Sequence, residues 1–475
     1  EIYTLSLHDA LPICGSACRI YCQFAEVYYY VYGKAQKMRS ARSIAAHTLI
    51  KVEKEAAYSS LALNSELKPA QGISEKDSAL ATRLVYGVIE RKITLDYNIS
   101  LYLKDPIRKL RPDVLTCLRI GAYQILFSDR IPARAAVNES VNLAKELGAS
   151  YAAGLVNAVL RKMAGQGLRL PESLQDEILY LSVKYSCPEN LLLHFLEHYG
   201  REKTEAHLSA SLAGRPLFIR RNTLMCTDEM LSTELAKDGA VLEPTAVDGC
   251  FVLKSTGSIA SLSAFKKGLF HVQDMSSQID AMLLDAKPGQ TVVDCCAAPG
   301  GKSFTLAQYM KNEGQLISCD QYPQKTELIK KSAERLGITN ISTMCEDARE
   351  LWKNGISADA VLCDVPCSGF GVIGRKPEIR YKDPQQFSEL PELQYAILSS
   401  GAQMVKPGGT LVYSTCTLNP AENEQVCNRF LKDYPSFFLS DDSLYRSFSQ
   451  GEFMYVFASP TGGDGFFAAK FEREL

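Results

Sequence analysis

From about Lys287 to the C-terminus, short apolar runs alternate with amphipathic segments, and no other feature of the sequence constrains the fold as tightly. The runs "TVVDCCA", "GQLISCD", "ISTMCED", "DAVLCDV" and "GGTLVYST" are rich in Val, Ile and Leu. Between them lie "KSFTLAQYMKN", "QKTELIKKSAERLG" and "LQYAILSSGAQMV", which carry helical spacing. Strands that are apolar on both faces and separated by helices predict a mainly parallel sheet covered on both sides. "GDGFFAAKFER" reads as a final strand, antiparallel and at the sheet edge.

The rest of the chain has a different period. From Met38 to about Met163, "SARSIAAHTLIKVEKE", "SALATRLVYGVIERKITLDYNISLYL", "PDVLTCLRIGAYQILF" and "AAVNESVNLAKEL" place apolar residues three and four apart. That pattern predicts an all-helical domain of roughly five to eight helices. Between it and the alternating region, "CPENLLLHFLEHYGREK" and "STELAKDGA" read as helices. "PLFIRRNTL", "GCFVLKS" and "GLFHVQD" read as strands, so a small α+β subdomain is expected there. The expected division is 38–170 helical, 171–281 linker helices with the α+β subdomain, and 282–475 the α/β domain. Residues 1–37 read as a non-native or disordered extension, with Met38 as the start. The alternative is a helix with Cys14, Cys18 and Cys22 on one face.

Composition narrows the class further. Of 475 residues, 46% are hydrophobic and 22% charged, as in ordinary globular proteins, and the net charge is -2. Any surface that binds phosphates must therefore be a local patch. The 15 cysteines are irregularly spaced, without a C-x-x-C pair, which suits neither a disulfide framework nor zinc. A reducing cytoplasm, no membrane span and no metal are the expectations. The one metal-like pattern, "HFLEH" from His194 to His198, has no evident third ligand. Two histidines at that spacing arise on any amphipathic helix.

In an open α/β sheet, ligands sit beyond the carboxyl ends of the strands. The first run ends in "DCCAAPGGK", whose small residues and two glycines allow close backbone approach at a helix start. It is neither a G-x-G-x-x-G turn nor a phosphate loop of the G-x-x-x-x-G-K type. The second run ends in Asp320, suited to ribose hydroxyls, and the third in "CEDAR", where Asp347 could meet an adenine amino group. The fourth ends in Asp364. Taken singly, each acid is more simply a helix cap or a solvated loop residue. Together, the acids and the glycine loop predict a nucleoside with a carboxylate-bearing tail, S-adenosylmethionine.

Two cysteines occupy similar places: Cys367 in "VLCDVPCSGFG" and Cys416 in "YSTCTLNPAENE". With "DCCAAPGGK", "GVIGRKPEIRY" and "VQDMSSQ", these stretches resemble the RNA cytosine-5 methyltransferases. "LRIGAYQILF", "IPARAAVNESVNLAKELG" and "GLVNAVLRKM" resemble the NusB-type RNA-binding domain. The pairing resembles the bacterial RsmB (Sun) family, which methylates small-subunit ribosomal RNA, and the resemblance covers nearly everything after Met38. It implies a Rossmann-like methyltransferase domain behind a NusB-like domain, S-adenosylmethionine as cofactor and 16S ribosomal RNA as partner; a monomer is expected. It assigns Cys416 as the nucleophile, Cys367 as the thiol aiding product release, and Asp364 as the group on cytosine nitrogen 3. The implied cofactor contacts are Cys296, Ala297, Ala298, Pro299, Gly300, Gly301, Lys302, Asp320, Asp347 and Asp364, with Lys302 able to pair with the methionine carboxylate. Val365, where the family often has Ala, and "YSTCT" are small departures.

The competing reading of both cysteines is ordinary buried free thiol, and Cys295, Cys319, Cys345 and Cys363 are read that way. Rival functions are a transfer RNA cytosine-5 methyltransferase and a non-catalytic RNA-binding or antitermination factor. RNA contacts are expected from Arg220 and Arg221, Lys266 and Lys267, Arg375, Lys376 and Arg380, and Arg161 and Lys162.

Overall fold

The computed structural model describes residues 39–475 apart from 56, 57, 69, 71, 72, 174 and 256. The readings placed on residues 1–37 and on Met38 lie outside the described residues. The chain forms two compact units that divide between Ser186 and Cys187.

The first unit is helical. Its elements are α1 (Ala41–Glu55), α2 (Ser59–Leu67), α3 (Glu75–Glu90), α4 (Lys92–Ser100), α5 (Pro112–Phe127), α6 (Ala133–Glu146), α7 (Ala153–Gln166) and α8 (Glu177–Tyr185). The start signals are local: Ser74 caps α3 by accepting from the Asp77 N–H, and Pro112 opens α5. The stretch read as one long helix from Ser78 is two, because the backbone turns at Arg91. Ile44, Leu84, Leu95, Cys117, Leu118, Val156 and Leu160 fill the core. Arg119 enters that core with its charge answered by Asp96 at 2.7 Å and Glu53 at 2.9 Å. The expected boundary after residue 170 precedes α8, which belongs to this unit.

The second unit opens with α9 (Glu189–Leu212), interrupted at Gly200, where φ is 71°. A four-stranded antiparallel sheet follows in the order β2-β3-β1-β4. Its strands are β1 (Phe218–Arg221), β2 (Val241–Pro244), β3 (Cys250–Lys254) and β4 (Phe270–Val272). Helices α10 (Asp228–Lys237) and α11 (Ser263–Lys266) complete the expected α+β subdomain. Helix α12 (Met275–Leu283) leads out of it, so the expected boundary after residue 281 falls inside a helix.

The alternating region builds a nine-stranded sheet. Strands β5 (Thr291–Asp294), β6 (Gln315–Cys319), β7 (Ile341–Met344), β8 (Ala358–Asp364) and β9 (Val405–Thr415) are mutually parallel. Helices α13 (Gly301–Tyr309), α14 (Pro323–Arg335) and α15 (Leu390–Met404) connect them. Two apolar cores follow, one including Val292, Leu316 and Leu362, the other Val293, Val361 and Leu411. Successive strand residues feed opposite faces, which is why these strands read as continuous apolar runs.

After α16 (Glu424–Asp433) come β10 (Phe437–Leu439), α17 (Ser443–Phe448), β11 (Ser449–Gln450), β12 (Phe453–Val456) and β13 (Phe466–Arg473). Strand β13 was expected at the edge. Instead it lies inside the order β11-β12-β13-β9-β8-β5-β6-β7, with β10 also paired to it. The short strands between α16 and β13 cover its far side, and their length hid them from a periodicity argument.

Strand β8 pairs with β9 so that Asp364 stands opposite Ser414. The loops leaving these two strands are pinned together: the Gly371 N–H donates to the Cys416 carbonyl at 3.0 Å, and the Gly465 N–H to the Gly371 carbonyl at 2.9 Å. A Cβ on Gly371 would lie 2.1 Å from the Gly465 carbonyl oxygen, so no side chain fits. Gly371→Ala should destabilise the second unit by about 1–3 kcal/mol through forced backbone displacement, read as a lower urea midpoint at unchanged slope.

Candidate active site

Two loops at the carboxyl end of the sheet carry the two sequence-predicted cysteines. Cys367 lies three residues past β8, and Cys416 directly follows β9. The pairing of these strands brings the two sulfurs to 3.1 Å, and both residues are partly buried. The neighbouring hydroxyls also meet, Ser368 Oγ to Thr417 Oγ1 at 2.7 Å. Cys295, Cys319 and Cys363 are buried as expected, whereas Cys345 is exposed just beyond β7. Its run is shorter than the apolar pattern suggested.

Beside the cysteines sits a shared ammonium. Lys302, on the first turn of α13, is buried between Asp280 at 2.6 Å and Asp364 at 2.7 Å. Its Nζ also lies 4.7 Å from the Phe466 ring centroid. Burial opposes its charge, but Asp280 and then Asp364 outweigh that and raise its pKa above the ordinary value. Asp280 is fully buried on α12, and burial raises its pKa against the pull of Lys302. Ser414 Oγ donates to Asp280 at 2.7 Å, which ties this network to the strand leading into Cys416. The Lys302 ammonium, expected to be open to a ligand carboxylate, therefore already has two carboxylate partners. Asp280 was missed because "SSQIDAML" reads only as part of a helix.

The two thiols are electrostatically unlike. Cys416 is lowered from the ordinary thiol value, first by the hydrogen bond from Cys367 and then by the Lys376 and Lys302 ammoniums, against burial and Asp364. Cys367 is raised well above it by that same hydrogen bond, by burial and by nearby negative charge, including Glu422 and Asp364. The arrangement favours thiolate at Cys416 and thiol at Cys367, and thiolate is the nucleophilic form. The second cysteine is the leading cause of this bias.

A cavity of about 290 Å³ is bounded by Cys296, Asp320, Asp347, Pro366, Leu393 and Ile397. Of the predicted loop residues from Cys296 to Lys302, only Cys296 lines it. The others shape the loop. The Ala297 N–H donates to the Cys319 carbonyl at 2.7 Å, and Gly300 takes φ 107°, a conformation that suits glycine. Asp320 accepts from the Tyr322 N–H at 3.0 Å and meets Lys325 at 3.3 Å, while Asp347 is clamped by Arg349. Beneath the loop, burial raises the Asp294 carboxyl to about 7 despite a hydrogen bond from Ser303.

Several expected RNA contacts are engaged elsewhere. Arg220 is buried, donating to the Asp248 carbonyl, and Arg380 is buried with a hydrogen bond to Ser211. A desolvated guanidinium committed to neighbours cannot meet a phosphate, so both assignments are corrected. Arg375 pairs with Asp274 at 2.7 Å and with Asp464, Arg221 with Asp228, and Lys267 with Glu234. Lys266 and Lys376 are exposed, as are Arg161 and Lys162 in the first unit. The rings of His194 and His198 meet edge to face at 4.7 Å, and no metal-ligating group of three gathers among the described residues. No helix among them is long and apolar enough to cross a membrane.

Comparison with known proteins agrees with this architecture. A family model described as 16S rRNA methyltransferase RsmB/F matches residues 281–472, and one for the NusB family matches residues 39–165. A Bacillus subtilis protein described as "Probable ribosomal RNA small subunit methyltransferase B" is 38% identical, over 92% of this chain and 100% of its own. The ribosomal RNA small subunit methyltransferase B of Pseudomonas putida is 32% identical, over 86% of this chain and 93% of its own. The crystal structure of PH0851 superposes with a TM-score of 0.75 at 28% identity, covering 91% of this chain and 99% of that one. Fold and site thus define a methyltransferase that carries a NusB-like helical domain. The chain belongs to the ribosomal RNA small subunit methyltransferase B family.

Lys302→Met should leave Asp280 and Asp364 facing each other without a counter-charge. A loss of about 3–5 kcal/mol is expected, toward the lower end because Asp364 is partly open to water. Adding Asp280→Asn should recover part of it in urea titrations.

His207, on α9, is fully enclosed, with Nε2 at 3.2 Å from the Phe370 carbonyl and Nδ1 accepting the Ala458 N–H at 3.3 Å. Burial first, then the charges of Arg215 and Arg380, push it down to about 4, below the ordinary 6.5. Because the folded value is the lower one, its contribution is present above pH 6.5 and is lost as pH falls toward 4. The drop in urea midpoint over that window should shrink in His207→Gln.

Proposed function

We propose that this chain methylates carbon 5 of a cytosine in 16S ribosomal RNA, using S-adenosylmethionine and a covalent bond from Cys416 to the base. The observation that carries the reading is the pair of unlike thiols 3.1 Å apart, beside the carboxylate of Asp364. Cytosine carbon 5 is too weak a nucleophile to take a methyl group unaided. Addition of the Cys416 thiolate to carbon 6 creates an enamine as nitrogen 3 takes a proton from Asp364, which must be in its acid form at that step. Bound S-adenosylmethionine supplies an electrophilic methyl group to carbon 5. Release then passes the carbon 5 proton to water, breaks the Cys416–carbon 6 bond and returns the nitrogen 3 proton to Asp364, restoring the ring and the thiolate. Cys367, kept as a thiol, is the group that assists this release.

The chemistry of the residues around the cavity suits such a cofactor. Asp320 and Asp347 offer carboxylate acceptors for ribose hydroxyls and an adenine amino group, and Leu393 and Ile397 an apolar wall. The α13 N-terminus carries the partial positive charge of a helix start. Lys302 is better suited to holding Asp364 than to holding the cofactor's carboxylate. The target base must leave its stack to reach the cysteines. Exposed Lys376, whose charge acts on Cys416, offers an ammonium for a backbone phosphate.

The ribosomal substrate is supported by the relatives' descriptions and by the NusB-family match. Cys416→Ala should abolish methyl transfer while S-adenosylmethionine still binds, checked by calorimetry beside a tritium-transfer assay. Near-normal turnover would remove Cys416 from its role. Cys367→Ala should accumulate a protein–RNA adduct on a denaturing gel, absent from the double variant with Cys416→Ala. Bisulfite sequencing of total RNA with and without the gene should show one or more lost signals in 16S RNA. A signal lost from transfer RNA instead would favour the transfer RNA enzyme, and no loss the non-catalytic factor.

A further inference from the structure

The strongest unassigned feature is a buried carboxylate between the two cysteine loops. Glu422, in "NPAENE", is fully buried. One oxygen accepts from the Ser368 N–H at 2.9 Å and from Gln394 Nε2 at 2.9 Å. The other accepts from Ser368 Oγ and from Asn419 Nδ2 at 2.8 Å. All four donors are neutral, and they come from three places: the Cys367 loop, helix α15 and the Cys416 loop. An ionised carboxylate is an acceptor-only group with room for four such bonds. Burying that charge is costly, and only such a dense set of donors makes it tolerable.

The geometry points to a role: we propose that Glu422 is a positioning residue that clamps the Cys367 loop to the Cys416 loop and holds Cys367 where it can assist release. Ser368 follows Cys367 directly and gives Glu422 two hydrogen bonds. Gln394 supports the same loop from behind, donating also to the Pro366 carbonyl at 2.9 Å. On the other side the residue after Cys416, Thr417, meets Ser368 Oγ at 2.7 Å. Tyr413, on β9, donates its hydroxyl to the Glu422 carbonyl. The Cys367 loop, α15 and the Cys416 loop thus all meet at this one carboxylate. Its negative charge is also among the influences that keep Cys367 protonated. A glutamine there would keep the size but turn an N–H₂ toward a donor, and would lose the charge.

The inference rests on the proposed roles of the two cysteines, and the test separates the two. Glu422→Gln should remain folded by circular dichroism, with kcat down about 100-fold for a misplacement on the order of 1 Å and KM for RNA changed little. It should accumulate a Cys416-dependent protein–RNA adduct on a denaturing gel, as Cys367→Ala does. Ser368→Ala, which removes one donor and the Thr417 link, should show the same adduct to a lesser extent. A folded Glu422→Gln that releases product normally, or that shows neither turnover nor adduct, overturns the proposal. If Glu422→Gln fails to fold, Ser368→Ala decides: adduct accumulation supports the clamp, and normal release or no adduct refutes it. An adduct in Cys367→Ala without one in Glu422→Gln sinks only the clamp. No adduct in Cys367→Ala sinks the assignment of the cysteines themselves.

Discussion

The lateral pairing of β8 with β9 is the constraint on which the rest of the site depends. Parallel strands cannot be joined by a tight turn, so residues far apart in the chain become neighbours only through the sheet. Here the register sets Asp364 against Ser414, and the loops beyond carry Cys367 and Cys416 to contact across 49 residues of sequence. A slip of one residue would turn every side chain to the opposite face and separate the sulfurs. The two apolar cores on either face of the sheet hold that register.

Around the sulfurs, charge is held in two different ways. On one side, Lys302 is shared by Asp280 and Asp364, and Ser414 donates to Asp280. On the other, Glu422 has no cation among its hydrogen-bond donors and relies on neutral groups alone. Breaking either arrangement leaves a buried charge without its partners, which costs far more than the intact network contributes. Such networks specify one geometry, because few other arrangements satisfy all of their members. The difference between the two thiols arises from this setting, since the two side chains are chemically identical.

Much of this was legible in the sequence, and the parts that were not share a cause. The alternating runs of the C-terminal half announced a parallel sheet, and the three- and four-residue spacing near the N-terminus a helical domain. Asp320 and Asp347 do border the cavity, as strand-end acids were expected to, whereas Asp364 lies outside its lining and pairs with Lys302. Arg220 and Arg380 were misjudged because a charged residue says nothing of its own burial. Asp280 and Glu422 were passed over because each lies in a stretch whose local pattern explains it as part of a helix or a turn. The short strands that flank β13 carry too few residues to show a period.

The order of residues along the chain determined which elements form, because helix and strand periods and the turn residues between them are local properties. It also determined the chemistry available at each strand end. Only the tertiary structure decided which strand ends are neighbours, which two acids share Lys302, and which cysteine is the more acidic. Those outcomes depend on distances and on exclusion of water, and both are set by how the whole sheet packs.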